Sequence, residues 1–307
     1  MKVWRVTKIS GMSYKILTLV LIANLFWMVD PQGSAAKVKE LQLISPAIAY
    51  QPRDFSPGSE DSPSARIQIV EELRLLHQQG FRSLVTYSSR GVLGGIPSVA
   101  REQGFSGTVI MGVWDIFSTE EWSQALEQQA NVDGYCLGNE GLGIRYTPDE
   151  LAEKMAELRS LTGKPVSTTE PIDRYLHGPN REWLLTHSDW LFPLAQPFWA
   201  GQIEPQRAVD WITARSDYLG AVTERPVILK EVGFPSALSR GQTEDDQLAF
   251  FQALETTGLT YFYFEAFDQP WKHQMFREAE FEAHWGMYRE DGTPKKVMKW
   301  LAARWAR

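Results

Sequence analysis

The segment VDGYCLGNEGLGIRYTPDELAEKMAELRSLTG, residues 132–163, contains one complete unit of the fold. Its first part is an apolar run that ends at Asn139-Glu140 and is followed by glycines, which is typical of a buried strand that stops at a loop. The rest has a helical pattern, in which Thr147 can cap the first turn and Gly163 can end the last one. This segment therefore predicts a buried strand followed by a loop and a helix.

The same alternation of strand and helix continues along the chain from residue 41 onward. Predicted strands lie at residues 43–50, 81–87, 108–114, 132–140, 165–170, 190–198, 226–234 and 260–267. Predicted helices lie at residues 64–79, 119–130, 147–163, 205–222, 244–257 and 294–305, with a shorter one before Gly104. Continuous apolar strands alternating with helices indicate a parallel sheet covered on both faces. Eight such strands without a dinucleotide glycine pattern favour a closed (β/α)8 TIM barrel over a doubly wound sheet.

Composition and charge exclude several classes of partner. The chain has 307 residues, 43% hydrophobic and 22% charged, which suits one large α/β barrel. Its formal net charge of -7 argues against nucleic acid or an anionic membrane surface as a partner. The one cysteine, Cys136, lies in an apolar run and is expected in the core. No histidine, cysteine or glycine pattern indicates a metal or a cofactor, so we expect neither.

Residues 1–36 have the features of a targeting segment. Four basic residues precede the uncharged run ILTLVLIANLFWMV, residues 16–29, and small residues follow it. The run is shorter than the roughly 20 apolar residues that span a bilayer comfortably. We expect this segment to be a signal peptide or a retained N-terminal anchor. We expect the protein to contact the membrane only through this segment, and only if it is not cleaved. The remaining residues, 37–307, are predicted to form a single exported domain.

The predicted strand ends carry carboxylates, amides and aromatic rings together. Barrel enzymes keep their chemistry at the carboxyl ends of the strands. The residues found there are Tyr87, Trp114, Asp115, Asn139, Glu140, Glu170, Gln196, Phe198, Trp199, Lys230, Glu231, Glu265, Asp268, Gln269, Trp271 and Lys272. Carboxylates and amides can pair with sugar hydroxyls, and aromatic rings can stack on sugar faces. The set therefore predicts a carbohydrate site, although Glu170 could equally close a turn before Pro171.

Glu140 and Glu231 end strands four and seven, which lie on roughly opposite sides of the mouth of an eight-stranded barrel. Two facing carboxylates about 5–5.5 Å apart can cleave a glycosidic bond by the retaining route, in which one acts as the acid and the other attacks the sugar. Asn139, beside the first, could bind the sugar 2-hydroxyl. Such a pair predicts a bell-shaped dependence of rate on pH.

Three motifs carry a resemblance to a known family. YCLGNEGL (135–142), KEVGFPSA (230–237) and FEAFDQPWK (264–272) resemble glycoside hydrolase family 17, which contains β-1,3-glucanases and related glucanosyltransferases built on (β/α)8 barrels. The similarity implies that Glu140 is the acid/base, that Glu231 is the nucleophile and that β-glucan, with a β-1,3 linkage expected, is the partner. The predicted substrate-binding set is Tyr87, Asn139, Trp114, Glu170, Trp199, Phe234, Glu265, Asp268, Gln269, Trp271 and Lys272.

One position departs from the family pattern, because the family usually has a glutamate where Gln269 stands. Asp268 or Glu265 could supply the missing charge, and Lys272 is still expected to bind or orient substrate. Hydrolysis and transglycosylation use the same covalent intermediate, so both remain open. The residues are also compatible with a carbohydrate-binding barrel that has little turnover, and with a barrel glycosidase for β-1,4 or β-mannosyl substrates.

Overall fold

The computed structural model describes residues 41, 43, 45–58, 63–237 and 241–305. The predicted targeting segment, residues 1–36, lies outside the described residues, as does part of the polar loop at residues 51–64. Within the described ranges, no helix combines the length and the apolar character needed to cross a membrane.

Eight short strands form one parallel sheet, and each lies inside a run that the sequence predicts as a strand. They are β1 (Ala47–Ala49), β2 (Ser83–Val85), β3 (Val109–Val113), β4 (Gly134–Leu137), β5 (Val166–Ser167), β6 (Leu194–Ala195), β7 (Leu229–Val232) and β8 (Tyr261–Tyr263). The order across the sheet is β5-β4-β3-β2-β1-β8-β7-β6, with every pairing parallel. All eight strands are buried, as expected of a parallel sheet enclosed by helices.

The helices are α1 (Pro63–Gln78), α2 (Ile96–Glu102), α3 (Thr119–Glu127), α4 (Pro148–Thr162), α5 (Ile172–His177), α6 (Arg181–His187), α7 (Pro205–Val222), α8 (Glu244–Leu254), α9 (Trp271–Met275) and α10 (Lys296–Trp305). Short 3-10 helices span Gly91–Gly95 and Glu280–His284. The predicted caps of α4 are confirmed, because the Thr147 side chain accepts from Glu150 N and Gly163 has a φ of 64°. The sequence did not predict α5, α6 or α9.

The outer strands of this order, β5 and β6, are joined by a seam of hydrogen bonds. These run from Leu194 N to Glu170 O (3.0 Å), from Ser167 Oγ to Trp190 O (2.6 Å) and from Thr169 Oγ1 to Phe192 O (2.7 Å). A parallel bridge between Pro171 and Leu194 lies at the same place. The sheet is therefore curled like that of a (β/α)8 barrel, and the carboxyl ends of its strands meet around one mouth.

Candidate active site

A cleft of about 940 Å³ lies at the carboxyl ends of the strands. Its lining includes nine of the catalytic and substrate-binding residues predicted from the sequence: Tyr87, Trp114, Asn139, Glu140, Trp199, Glu231, Glu265, Trp271 and Lys272. Because these residues come from β2, β3, β4, β6, β7 and β8 and the loops that follow them, the fold brings together side chains that are far apart in the chain.

Glu231 is buried at the base of the cleft between two donors. Gln196, at the end of β6, donates from Nε2 to Glu231 Oε2 at 2.6 Å. The Nζ of Lys230 lies 3.7 Å from Glu231 Oε1. The hydrogen bond to one oxygen and the nearby positive charge beside the other favour the carboxylate form, which is the form that a nucleophile requires.

A register shift in β7 explains how the adjacent residues Lys230 and Glu231 both contact residues of the cleft. Leu229 pairs with Tyr261 and Val232 with Tyr263, so β7 has one residue more than β8 between these pairs. Successive residues of a regular strand point to opposite faces, and an extra residue of this kind re-aims a side chain. Lys230 therefore contacts residues of the cleft alongside Glu231, although a regular strand would separate the two side chains.

Glu140 follows β4 after two intervening residues, Gly138 and Asn139. Its backbone is in the left-handed region, with a φ of 51°. Non-glycine residues seldom adopt this region, and such strain is concentrated at functional sites. Its main-chain nitrogen donates to Thr169 O at 3.0 Å, which fixes the turn against the end of β5.

The pKa of Glu140 is raised to about 7, first by the loss of hydration in the cleft and then by the negative charge of Glu231. Lys230 and Arg174 oppose this rise, and Glu170 adds to it. The Glu140 side chain is exposed in the cleft, and its raised pKa favours the protonated form at mildly acidic pH. It can therefore donate that proton to a leaving group.

Glu170 lies beneath the loop that follows Glu140 and does not line the cleft. It is fully buried, accepts from Leu142 N at 2.8 Å and pairs with Arg174 at 3.1 Å. Burial is the main cause that raises its pKa. Of the two roles that the sequence left open for Glu170, these contacts favour the structural one, in which the carboxylate holds the loop in place.

Lys230 also links Asn139 and Tyr87, and the sequence prediction gave it no role. Its Nζ donates to Asn139 Oδ1 and lies 4.5 Å from the centre of the Tyr87 ring. The hydroxyl of Tyr87 is buried, and its pKa is raised by burial and then by the charges of Glu231 and Glu265. The only signal in the sequence was that Lys230 ends a buried strand beside an acid.

A second pair of charged residues, which follows β8, also lines the cleft. Lys272 donates from Nζ to Glu265 Oε1 at 2.5 Å, and burial raises the pKa of Glu265 to about 7 against the effect of Lys272. Glu282, in a 3-10 helix, accepts from Trp199 Nε1 at 2.7 Å. Of the two acids proposed to compensate for Gln269, Glu265 is therefore the one that pairs with Lys272. Glu282 has no sequence signal, because it belongs to no strand end.

Two predicted substrate residues lie away from the cleft lining. Phe234 is fully buried and stacks on Phe250 with ring centroids 5.2 Å apart, so it is part of the core behind β7. Asp268 pairs with Lys295 at 2.6 Å and accepts from Gly286 N at 2.9 Å. Its charge is thus compensated within the chain and is not directed at a substrate.

Gln269 is likewise buried outside the cleft lining. Its Nε2 donates to Pro52 O at 3.2 Å, and its Oε1 accepts from Trp271 Nε1 at 2.9 Å. The amide thus connects the loop after β1 to the indole of Trp271, which does line the cleft. This arrangement needs one donor and one acceptor, which an amide supplies and a carboxylate does not.

Comparisons with known proteins identify the family to which the chain belongs. Residues 47–286 match the BtgE/BtgC glycoside hydrolase domain, so the chain belongs to this family, which is of glycoside hydrolase family 17 type. The family expected from the three motifs is thereby confirmed.

Individual relatives are more distant. The chain is 25% identical to a glucan 1,3-beta-glucosidase of Arthroderma benhamiae over 227 residues, which cover 64% of this chain and 72% of the relative. It is 28% identical to the probable beta-glucosidase btgE of Aspergillus flavus over 253 residues, 76% of this chain but only 41% of the relative.

A solved structure shares the fold. The family 17 β-1,3-glucanosyltransferase of Rhizomucor miehei matches 82% of this chain and 95% of its own, with a TM-score of 0.65 and 20% identity. An active-site mutant of that transferase has been solved in complex with laminaritriose. At this identity, the similarity supports the barrel-like fold and not the details of the site.

Proposed function

We propose that this domain is a retaining glycosidase for β-1,3-linked glucan, in which Glu140 is the acid/base and Glu231 the nucleophile. The observation that carries the proposal is the different environment of the two carboxyl groups in one cleft. Glu231 accepts from Gln196 and faces the ammonium of Lys230, whereas the pKa of Glu140 is raised to about 7 by the loss of hydration in the cleft and by the charge of Glu231. One group is prepared to attack and the other to donate a proton.

The reaction takes two displacements. In the first, Glu231 attacks the anomeric carbon while Glu140 gives its proton to the glycosidic oxygen, which leaves with the aglycone chain. This produces a covalent glycosyl-enzyme and an ionised Glu140. In the second, Glu140 takes a proton from water, and the water oxygen replaces the Glu231 oxygen at the anomeric carbon. A sugar hydroxyl that replaces water in this step gives transglycosylation.

Substrate contacts come from the rest of the cleft lining. Asn139 lines the cleft, and its proposed role is a hydrogen bond to the 2-hydroxyl of the sugar bound at the nucleophile, a bond that strengthens in the transition state. Trp114 and Trp199 are 43% and 53% exposed, so both can stack on sugar rings, although the guanidinium of Arg145 lies over one face of Trp114 at 4.8 Å. The choice of β-1,3-glucan follows the names of the relatives and the laminaritriose complex of the structural neighbour.

Azide rescue tests the two roles separately. With an activated aryl β-glucoside and azide, Glu231→Ala should give the α-glycosyl azide, because azide attacks directly in place of the missing nucleophile. Glu140→Ala should give the β-glycosyl azide, because azide attacks a glycosyl-enzyme that no longer has its base. The same configuration from both variants, or rescue of neither, would contradict the assignment.

Product sizing with wild type on a laminari-oligosaccharide series then defines the activity. Shorter products indicate a hydrolase, and longer ones a transferase that uses the same carboxylates. Binding without turnover would favour a carbohydrate-binding barrel and reject the proposed catalysis.

We also propose that residues 37–307 form one exported domain, on the basis of the basic and apolar pattern in residues 1–36. Expression of the full chain with a reporter fused at its C-terminus, followed by fractionation, tests this. Recovery of the reporter inside the cytoplasm would contradict export.

A further inference from the structure

Lys230 is a buried cation that the reaction scheme above does not use. It is 1% exposed, and Glu231 is the carboxylate within ion-pair distance of its Nζ in the part of the chain that the structure describes. A buried charge without a partner is costly, so the ammonium and the Glu231 carboxylate compensate each other in this environment.

The second contact of Lys230 determines the orientation of Asn139. A lysine ammonium has donors only, so the atom of the Asn139 amide that faces it must be the carbonyl oxygen. The Nδ2 group is then the end of the amide that remains for a ligand, and Asn139 lines the cleft. Lys230 thereby makes Asn139 a donor toward a sugar hydroxyl, although an unconstrained amide could present either end.

The third contact of Lys230 is between its ammonium group and the aromatic ring of Tyr87. The Nζ of Lys230 lies 4.5 Å from the centre of the Tyr87 ring, within the range of a cation–π interaction. With Asn139, Glu231 and Tyr87 around it, the ammonium has three different partners that fix its position. The extra residue in β7 allows this lysine to contact these three residues, which line the cleft, although it does not line the cleft itself.

We propose that Lys230 is a positioning residue, which holds Asn139 with its amide nitrogen toward the sugar 2-hydroxyl and supplies the positive charge beside the nucleophile Glu231. The inference rests on the proposed function, because it assigns a role within the same reaction. It adds that recognition of the 2-hydroxyl depends on a side chain that does not itself line the cleft.

Lys230→Met tests this role with a side chain of similar length and no charge. We expect kcat/KM on an aryl β-glucoside to fall about tenfold or more. The preference for this substrate over its 2-deoxy analogue should also collapse by about tenfold, because the amide is no longer held as a donor. Lys295→Met is the matched control: Lys295 is also buried and paired, but with Asp268 outside the cleft, and its removal should leave the 2-deoxy preference unchanged.

Asn139→Asp provides a second test that leaves Lys230 in place. The aspartate keeps the oxygen that faces the ammonium and replaces the Nδ2 donor with an acceptor. It should lose the preference for the 2-hydroxyl as Lys230→Met does. Full 2-deoxy discrimination in either folded variant would overturn the proposal.

Titration of Glu140 by carbon NMR makes the test independent of turnover. Glu231, Lys230, Glu170 and Arg174 are the charged groups that act on Glu140, and Lys230 lowers its pKa. The pKa of Glu140 should therefore be higher in Lys230→Met than in wild type and unchanged in Lys295→Met. An unchanged value in Lys230→Met would overturn the proposal. If the wild type is inactive and the pKa of Glu140 still rises in Lys230→Met, the proposed function is rejected, but the position of the Lys230 charge beside the two carboxyl groups is supported.

Discussion

Gln196 Nε2 lies 2.6 Å from Glu231 Oε2, so the end of β6 supplies a neutral donor to the carboxylate at the end of β7. Neutrality is important in this contact. A donor without charge orients the carboxylate and leaves its negative charge for the attack on the sugar that we propose.

Gln196→Glu should remove activity while keeping the shape of the side chain. Two carboxyl groups at hydrogen-bond distance cannot both be ionised, so one of them must hold a proton at neutral pH. We expect kcat/KM to fall by about 100-fold or more, with partial recovery when the aryl glucoside carries a better leaving group. Gln129→Glu, at an exposed position, is the control and should keep wild-type rates.

The pH profile of kcat/KM should fall on its alkaline side as pH rises through about 7, where Glu140 loses its proton. The sign follows from the role: the pKa is raised above 4.5 and the protonated form is the active one, so activity persists below this pKa and is lost above it. Glu140→Gln, assayed on a glucoside whose leaving group needs no proton, should lack the alkaline limb. An alkaline limb that persists in this variant would show that another group titrates there.

Gln269→Glu restores the residue that the family usually has, and it should nevertheless be harmful. The Gln269 amide donates to Pro52 O, and a carboxylate at this position would place its oxygen against a carbonyl oxygen. We expect a loss of about 1–3 kcal/mol in the free energy of unfolding and no gain in kcat/KM. Urea unfolding and steady-state rates measure both. Higher activity without loss of stability would contradict the buried role assigned to Gln269.

Trp199→Ala should raise KM for laminari-oligosaccharides by about 5- to 30-fold, because the indole is expected to stack on a sugar ring. The kcat for a short aryl glucoside should change much less, because the indole is not a reacting group. Glu282→Ala should have a smaller effect in the same direction, since Glu282 holds the indole nitrogen of Trp199. Phe117→Ala is the control: it removes a side chain that is 51% exposed but lies outside the cleft lining. Equal changes in KM from the Trp199 and Phe117 substitutions would argue against a specific stacking role for Trp199.

The fold was largely predictable from local patterns. Apolar runs between helix signals gave all eight strands, and the cap residues Thr147 and Gly163 gave the ends of α4. The short helices α5 and α6 were missed because they lie in a stretch without a clear apolar repeat.

Site residues could be predicted from the sequence where they lie at the carboxyl end of a strand, because these ends meet at the mouth of the barrel. Glu140 and Glu231 follow this rule, and both line the cleft. Phe234 and Gln269 belong to the same motifs and yet are buried outside the cleft lining, because motif membership does not say which way a side chain points. Lys230 belongs to the strand-end set but was given no role for a related reason: the register shift in β7 that brings it against the cleft residues leaves no trace in the alternation of residue types.

The seam between β5 and β6 has a consequence for stereochemistry. Glu140 is fixed to the end of β5 through Thr169 O, and Glu231 lies opposite Leu194 of β6 in the sheet register. The gap between the two carboxylates, which selects retention or inversion at the sugar carbon, is therefore spanned by this seam. Much of it consists of the hydroxyls of Ser167 and Thr169, both fully buried. In the proposed reaction, the hydroxyls of Ser167 and Thr169 therefore help to hold the two carboxylates at their separation, although neither residue lines the cleft.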